Sequence, residues 1–183
     1  MAQAASKLQI GDRPRASWRP NKRLWGALGL FIAGGCVLNA ISDWRDTHAL
    51  LINASESLPN WAFVIHKTAR PHRGEYVFFV PPADPLVIRH FGAKKQMFGK
   101  IVYGMPGDTV VHRGAEVLVN GRAVSRMKPL TRMGETLAPG PTGVIPADCY
   151  YVGTPHKDGF DSRYAAIGYA CSKKIVGVGR PIL

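Results

Sequence analysis

The sequence is poor in acidic side chains: 12 Asp and Glu residues stand against 24 Lys and Arg residues, which gives a net charge of +12. Such a chain suits either nucleic acid or an anionic lipid surface as a partner. The basic residues are scattered, however, and neither a helix-turn-helix pattern nor aromatic-basic interleaving is present. Direct nucleic-acid binding is therefore not expected, whereas attraction to membrane lipid headgroups is.

Metal-ligand spacings are also lacking. The 6 histidines form no His-x-x-x-His pair and the 3 cysteines form no Cys-x-x-Cys pair, so the sequence predicts no metal site and no cofactor. Cys36 lies in an apolar run, where a thiol packs as a small hydrophobe. Cys149 and Cys171 would form a disulfide if the domain is exported to an oxidising compartment, or would otherwise remain buried thiols.

Residues 24–41 are a charge-free apolar run of 18 residues. As a helix this run would be about 27 Å long, just enough to cross a membrane core. Residues 1–23 are basic, with Asp12 as the single acidic residue, so the positive-inside rule leaves them in the cytoplasm and the rest outside. A cleaved signal peptide is the alternative, although Leu38-Asn39-Ala40 lacks the small residue expected at the −3 position.

Residues 50–183 have the pattern of one β-rich domain. Short runs rich in β-branched and aromatic residues are bounded by Gly, Pro or Asp, which is typical of strands. They are 62–65, 76–80, 99–103, 109–112, 117–119, 123–124, 150–152 and 174–178. Asn120-Gly121 predicts a two-residue hairpin turn, residues 127–141 predict a long loop, and residues 81–98 are either helical or irregular.

Ser57 and Lys100 are the candidate catalytic residues. A serine hydroxyl is a weak nucleophile until a base takes its proton, and a lysine acts as that base only where burial keeps its amine neutral. Alone, Ser57 would suit a turn and Lys100 an exposed edge strand. The hypothesis depends on four blocks in order: Ser55-Glu-Ser-Leu-Pro59, Arg73-Gly-Glu-Tyr-Val-Phe-Phe79, Lys100-Ile-Val-Tyr-Gly-Met-Pro-Gly-Asp108 and Gly159-Phe-Asp-Ser-Arg-Tyr164.

These blocks, over roughly residues 22–183, resemble the signal peptidase I family, and the compact form most resembles its conjugal-transfer branch, the TraF-type peptidases. The resemblance implies a mainly β fold, a signal peptidase I-like coiled β-sheet catalytic domain with one N-terminal transmembrane helix. It also implies a serine endopeptidase that works by acyl transfer.

The family's motifs assign roles to individual residues. The second serine of a Ser-x-Ser-x-Pro pattern is the nucleophile, which is Ser57 here, and its backbone N–H forms the oxyanion hole with the hydroxyl of Ser55. The base lies eight residues before the aspartate of the Gly-x-Pro-Gly-Asp box, which selects Lys100 because that aspartate is Asp108. Asp108 itself is expected to be a turn residue without a chemical role.

The terminal block carries one match and one departure. Asp161 and Arg163 match a buried ion pair that supports the fold of the site. Gly159 stands where the family commonly has a serine that orients the lysine.

The TraF-type resemblance implies a role in conjugal plasmid transfer. The substrate would be a pilin precursor, which the enzyme cleaves and can join into a ring, and other conjugation proteins would be partners. The domain would lie in the periplasm, anchored to the inner membrane, or be soluble there after signal cleavage. A housekeeping signal peptidase and an inactive component of the conjugation channel are the alternatives.

Overall fold

The computed structural model describes residues 21–53, 58–94 and 96–182, and the chain divides into two compact units at Ser42. The first unit holds most of α1, Lys22–Thr47, which begins where Asn21 Oδ1 accepts a hydrogen bond from Arg23 N. Helix α1 contains the predicted run 24–41 and has no buried residue. By length and composition it is able to cross a membrane.

The second unit begins at Asp43 and is built mainly from strands. In the part of it that the structure describes, a short helix, eleven strands and one 3-10 turn follow α1. They are β1 His48–Ile52, β2 Ala62–His66, β3 Tyr76–Phe79, α2 Pro85–Phe91, β4 Phe98–Gly104, β5 Thr109–Arg113, β6 Glu116–Val119, β7 Arg122–Arg126, β8 Gly143–Val144, β9 Cys149–Gly153, β10 Ala170–Cys171, the 3-10 turn Ser172–Lys174 and β11 Ile175–Pro181.

The described strands form two antiparallel sheets. Seven of them follow the order β1-β2-β11-β3-β4-β9-β10, and four follow the order β7-β6-β5-β8. Seven of the eight predicted strands are present within two residues of their expected limits, and the eighth, β11, extends three residues past its predicted end at residue 178. The predicted mainly β fold with one N-terminal apolar helix is therefore confirmed.

Three local features complete the comparison with the sequence. Asn120 and Gly121 both have positive φ angles (49° and 80°), so the predicted hairpin turn joins β6 to β7. The undecided segment contains α2, which Asp84 caps by accepting from Leu86 N at 2.9 Å. Strands β1, β8 and β10 were not predicted.

Cys149 and Cys171 are joined by a disulfide. They occupy directly paired positions on β9 and β10, the last two strands at one edge of the seven-stranded sheet. The alternative of two free thiols, which the sequence left open, is not what the structure shows. The two cysteines are 22 residues apart in the sequence, and the terminal block 159–164 lies in the loop that the disulfide closes.

Candidate active site

Lys100 is buried because of its place in the alternation of β4. Side chains of this strand point in turn to the core and away from it, and the core face carries Phe98, Lys100 and Val102. Lys100 is only 5% exposed, and its Nζ lies 5.7 Å from the centre of the Phe98 ring. An ionisable amine thus occupies a row that is otherwise apolar.

Burial lowers the pKa of Lys100, because the charged ammonium loses its water while the neutral amine loses little. The negative charge of Asp161 opposes this shift and raises the pKa, and Arg163 lowers it further. The direction of the shift is the one that a lysine needs if it is to accept a proton near neutral pH.

The predicted Ser55 and Ser57 lie outside the described residues, but the residues on both sides of segment 54–57 are close to Lys100 in the structure. Asn53 Nδ2 donates to the carbonyl oxygens of Leu58 (3.3 Å) and Asn60 (3.0 Å). Leu58, which is bonded to Ser57, is buried. A Cβ atom placed on Gly99, the neighbour of Lys100, would stand 3.0 Å from Leu58 Cδ1 and 2.6 Å from Phe78 Cε1. Only glycine fits there without a shift.

A cavity of about 400 Å³ opens beside Lys100. Its lining is mostly apolar and comes from β1, β3, the end of α2, β4 and the terminal block. The lining residues are Leu51, Ile52, Asn53, Phe78, Phe91, Gln96, Met97, Phe98, Gly99, Lys100, His156, Asp158, Gly159 and Phe160. Such a cavity, apolar with a few polar groups, is typical of a ligand site.

Asp161 and Arg163 form a buried, two-contact ion pair. Arg163 Nε donates to Asp161 Oδ1 at 2.8 Å and Arg163 Nη2 donates to Oδ2 at 2.9 Å. Asp161 Oδ2 also accepts from Thr154 N, and Arg163 Nη2 also donates to Thr154 O. The pair thereby ties the terminal block to the chain just after β9, and removing one partner would leave a buried charge uncompensated.

Gly159 lines the cavity, but the room for a side chain at this position is filled. A Cβ atom there would come within 2.3 Å of Thr154 Cγ2 and 2.8 Å of Asp161 Oδ2. Thr154 therefore stands where a serine at 159 would have to fit. The Asp161 carboxylate attracts the protonated amine of Lys100, whereas Arg163 repels it. Asp161 therefore suits the role of holding this amine in place of a serine at 159.

Asp108 organises the Gly-Met-Pro-Gly-Asp box. Its carboxylate accepts from Met105 N at 2.6 Å and from Asn120 Nδ2 at 2.7 Å, and it pairs with Arg73 Nη2 at 2.5 Å. Burial raises the pKa of Asp108, but these hydrogen bonds outweigh it and the pKa is lowered overall. The carboxylate is a stable acceptor in a turn, in line with the expectation from the sequence.

Four residues of the site escaped the sequence patterns. Phe91, His156 and Asp158 line the cavity but lie outside the four sequence blocks, and Phe160 lies in the terminal block but had no role assigned to it. The sequence offered one signal for His156, Asp158 and Phe160, which is that they lie within three residues of Gly159.

Among residues 21–53, 58–94 and 96–182, no group of three or more His, Cys, Asp or Glu side chains could hold a metal ion. The site is thus a lysine at an apolar cavity in a mainly β domain, an arrangement that suits serine proteases in which lysine is the base.

The model of the family described as signal peptidase, peptidase S26, matches residues 24–183, and the chain belongs to this family. It is a signal peptidase-like serine protease. Among solved structures, it is similar to a signal peptidase I from Enterococcus faecalis V583, with 21% sequence identity and a TM-score of 0.37. The match covers 60% of this chain and 97% of that one. Comparison with curated proteins found no match.

Proposed function

We propose that this chain is a membrane-anchored endopeptidase in which Ser57 is the nucleophile and Lys100 the general base, and that it processes a pilin precursor for conjugal plasmid transfer. The burial of Lys100 at the cavity, with its lowered pKa, is the observation that carries the catalytic part of this proposal. An exposed lysine would be protonated near neutral pH and unable to take a proton from serine.

The reaction is acyl transfer. Ser57 Oγ attacks the scissile carbonyl carbon as Lys100 Nζ takes the hydroxyl proton, and the Ser57 N–H and the Ser55 hydroxyl donate to the oxyanion. The C–N bond then breaks, and the proton passes from Lys100 to the leaving amine. Water resolves the acyl-enzyme in hydrolysis, whereas an amine of the substrate itself resolves it in cyclisation.

The substrate is an extended segment that pairs with a strand edge. Strand β1 is the edge of the seven-stranded sheet, and Leu51, Ile52 and Asn53 at its end line the cavity. An exposed strand edge offers unpaired N–H and C=O groups to a peptide, and the cavity beside it selects side chains. Helix α1 keeps the enzyme at the membrane from which such precursors emerge.

The conjugal role is supported by the compact form of the chain, in which the 127–141 loop stands where many signal peptidases have a larger inserted domain. A housekeeping signal peptidase is equally consistent with membership of the family. The substrate distinguishes them: a housekeeping enzyme cleaves many secretory leaders, whereas a pilin-processing enzyme prefers its one precursor.

The test uses the full-length chain in detergent with two substrates, a conjugal pilin precursor and a secretory precursor. We expect Ser57→Ala and Lys100→Ala each to abolish cleavage, and the double variant to be no worse than either. Lys94→Ala is the matched control, because Lys94 is a nearby but exposed lysine, and it should keep full activity. Full activity of Ser57→Ala or Lys100→Ala would overturn the assignment.

A small acylating probe gives an independent reading. It should label Ser57 in the parent chain and fail to label it in Lys100→Ala. A folded parent chain that the probe leaves unlabelled, and that cleaves neither precursor, would indicate the inactive assembly component instead.

A further inference from the structure

Two aromatic rings form one wall of the cavity beside Lys100. Phe91, the last residue of α2, and Phe160 of the terminal block have ring centres 5.7 Å apart, and both line the cavity. Phe91 also meets Phe98 edge-on at 4.7 Å. We call Phe91 and Phe160 the aromatic wall. Its position decides how much of the cavity a substrate side chain can occupy.

Helix α2 does not hold this wall by itself. It has seven residues, of which only Val87 is buried, and a helix of this length is unstable without contacts elsewhere in the fold. Besides the ring contacts of Phe91 and His90, its C-terminal turn is held by two ion pairs with Glu135, in the 127–141 loop. Glu135 Oε1 accepts from Arg89 Nη1 at 2.8 Å, and Oε2 accepts from His90 Nε2 at 2.5 Å.

Glu135 is fixed from its own side as well. Thr131 Oγ1 donates to Glu135 Oε2 at 3.0 Å, and Thr131 N donates to the backbone oxygen of Glu135 at 2.8 Å. The side chains of Glu135 and His90 are each 18% exposed. The hydrogen bond from His90 is the main reason that the pKa of Glu135 is lowered. Charge-assisted hydrogen bonds shielded in this way are stronger than isolated surface ion pairs.

The 127–141 loop also binds the segment that carries Phe160. Asp158, two residues before Phe160, accepts from Arg132 Nε (3.1 Å) and Nη2 (2.7 Å) and pairs with Lys128 Nζ. These hydrogen bonds lower the pKa of the Asp158 carboxyl, and the one from Lys128 has the largest effect. One loop therefore binds α2 through Glu135, and it binds Asp158, which directly precedes the terminal block, through Lys128 and Arg132.

We infer that Glu135 is a positioning residue that sets which substrate side chains the cavity accepts. By holding the C-terminal turn of α2 against the loop, it fixes Phe91 against Phe160 and keeps the cavity narrow. Glu135 does not line the cavity, so an effect of its substitution on selectivity must be indirect, through the elements that it holds in place. The inference rests on the proposed function, because it concerns the peptide that the cavity receives.

The decisive variant is Glu135→Gln, which keeps the size of the side chain and removes its charge. Glu116→Gln is the matched control: Glu116 also pairs with an arginine, Arg113 at 3.0 Å, but lies in the four-stranded sheet and does not line the cavity. Two labelled leader peptides serve as probes. One has an Ala-Gln-Ala cleavage motif, and the other has leucine in place of its last alanine.

Dissociation constants for both peptides are measured in full-length Ser57→Ala chains, so that binding is read without cleavage. We expect the preference for the alanine peptide to fall about fivefold or more in Glu135→Gln, since a pocket discriminates by roughly 10-fold or more per methylene group. The preference should not change in Glu116→Gln. An unchanged preference in Glu135→Gln overturns the inference, and so does a failure of the alanine peptide to bind the Ser57→Ala chain that keeps Glu135.

Hydrogen exchange gives a second measurement that needs neither catalysis nor peptide. The amide of Gly92 donates to Ile88 O at the end of α2, and it should exchange about tenfold faster in Glu135→Gln than in Glu116→Gln. Equal exchange rates overturn the role of Glu135. Absence of cleavage in a chain that shows both effects would instead contradict the proposed function alone.

Discussion

At the scale of single residues, Lys100 has opposite effects on stability and on the chemistry that we propose for it. A lysine on the core face of β4 must lose either its water or its proton when the domain folds. The folded state binds this proton less tightly than the unfolded state, since burial lowers the pKa of Lys100. Below the ordinary pKa of lysine, about 10.4, this difference destabilises the fold.

We therefore expect Lys100→Met to unfold at a higher temperature than the parent chain at pH 7 while losing all activity. The parent chain gains stability as pH rises between the folded and the unfolded pKa, so the advantage of the variant should shrink by up to about 1.4 kcal/mol per pH unit. Thermal unfolding at several pH values tests this. A variant less stable than the parent at pH 7 would show that Lys100 is not desolvated.

The activity of the parent chain gives a related reading at the same residue. If Lys100 is the base, kcat/KM should rise with pH as the amine loses its proton, and the acid limb should lie well below pH 10.

At the scale of elements, the disulfide between β9 and β10 fastens the segment that carries the terminal block. Strand β10 pairs with β9 through only two positions, so hydrogen bonds alone hold it weakly. A bond that closes a loop of this size raises the free energy of unfolding by about 2–4 kcal/mol.

We expect the double variant Cys149→Ala/Cys171→Ala to lose about that much stability in urea unfolding. A reductant should have the same effect on the parent chain and none on the variant. Cys36→Ala is the control, because Cys36 is unpaired in the structure, and that variant should still respond to the reductant. Equal stability of the oxidised and reduced parent chains would show that the bond does not support the fold.

The same scale shows how far the sequence alone predicts this molecule. The eight predicted strands have β-branched or aromatic runs with clear turns at their ends, and these local signals persist in the fold. Strands β8 and β10 have two residues each, too few for any period. Strand β1 follows α1 without a break, so its start carried no turn signal. The formation of strands that are very short, or that have no turn at their start, depends on their partner strands rather than on their own residues.

The sequence predicts only part of the candidate site, for a different reason. Lys100 and Asp161 belong to motifs with fixed spacing. Glu135 and its partners on α2 lie about 45 residues apart in sequence, and nothing in either segment alone specifies that they meet. Contacts of this kind become visible only in the folded chain.

At the scale of the whole molecule, α1 raises the question of whether the mature protein retains it. The positive-inside rule and the absence of a small residue at position 38 favour an uncleaved anchor. We expect intact-mass measurement of the membrane fraction to find residues 1–23 still attached. A new N-terminus near Ile41 would contradict this and indicate a soluble exported enzyme.

The order of strands in the seven-stranded sheet has a consequence for how the domain is made. Strand β11, the last in the described chain, lies between β2 and β3, which come early in the sequence. Until residues 175–181 are available, β2 has no neighbour on that side and β3 is not joined to it. The sheet therefore cannot close until β11 has been synthesised and has paired with both β2 and β3. Strands β1 and β4 both contribute residues to the cavity and lie on opposite sides of β11 in the sheet, so the cavity forms only after β11 has paired. A chain in which β11 has not yet paired therefore has no complete site.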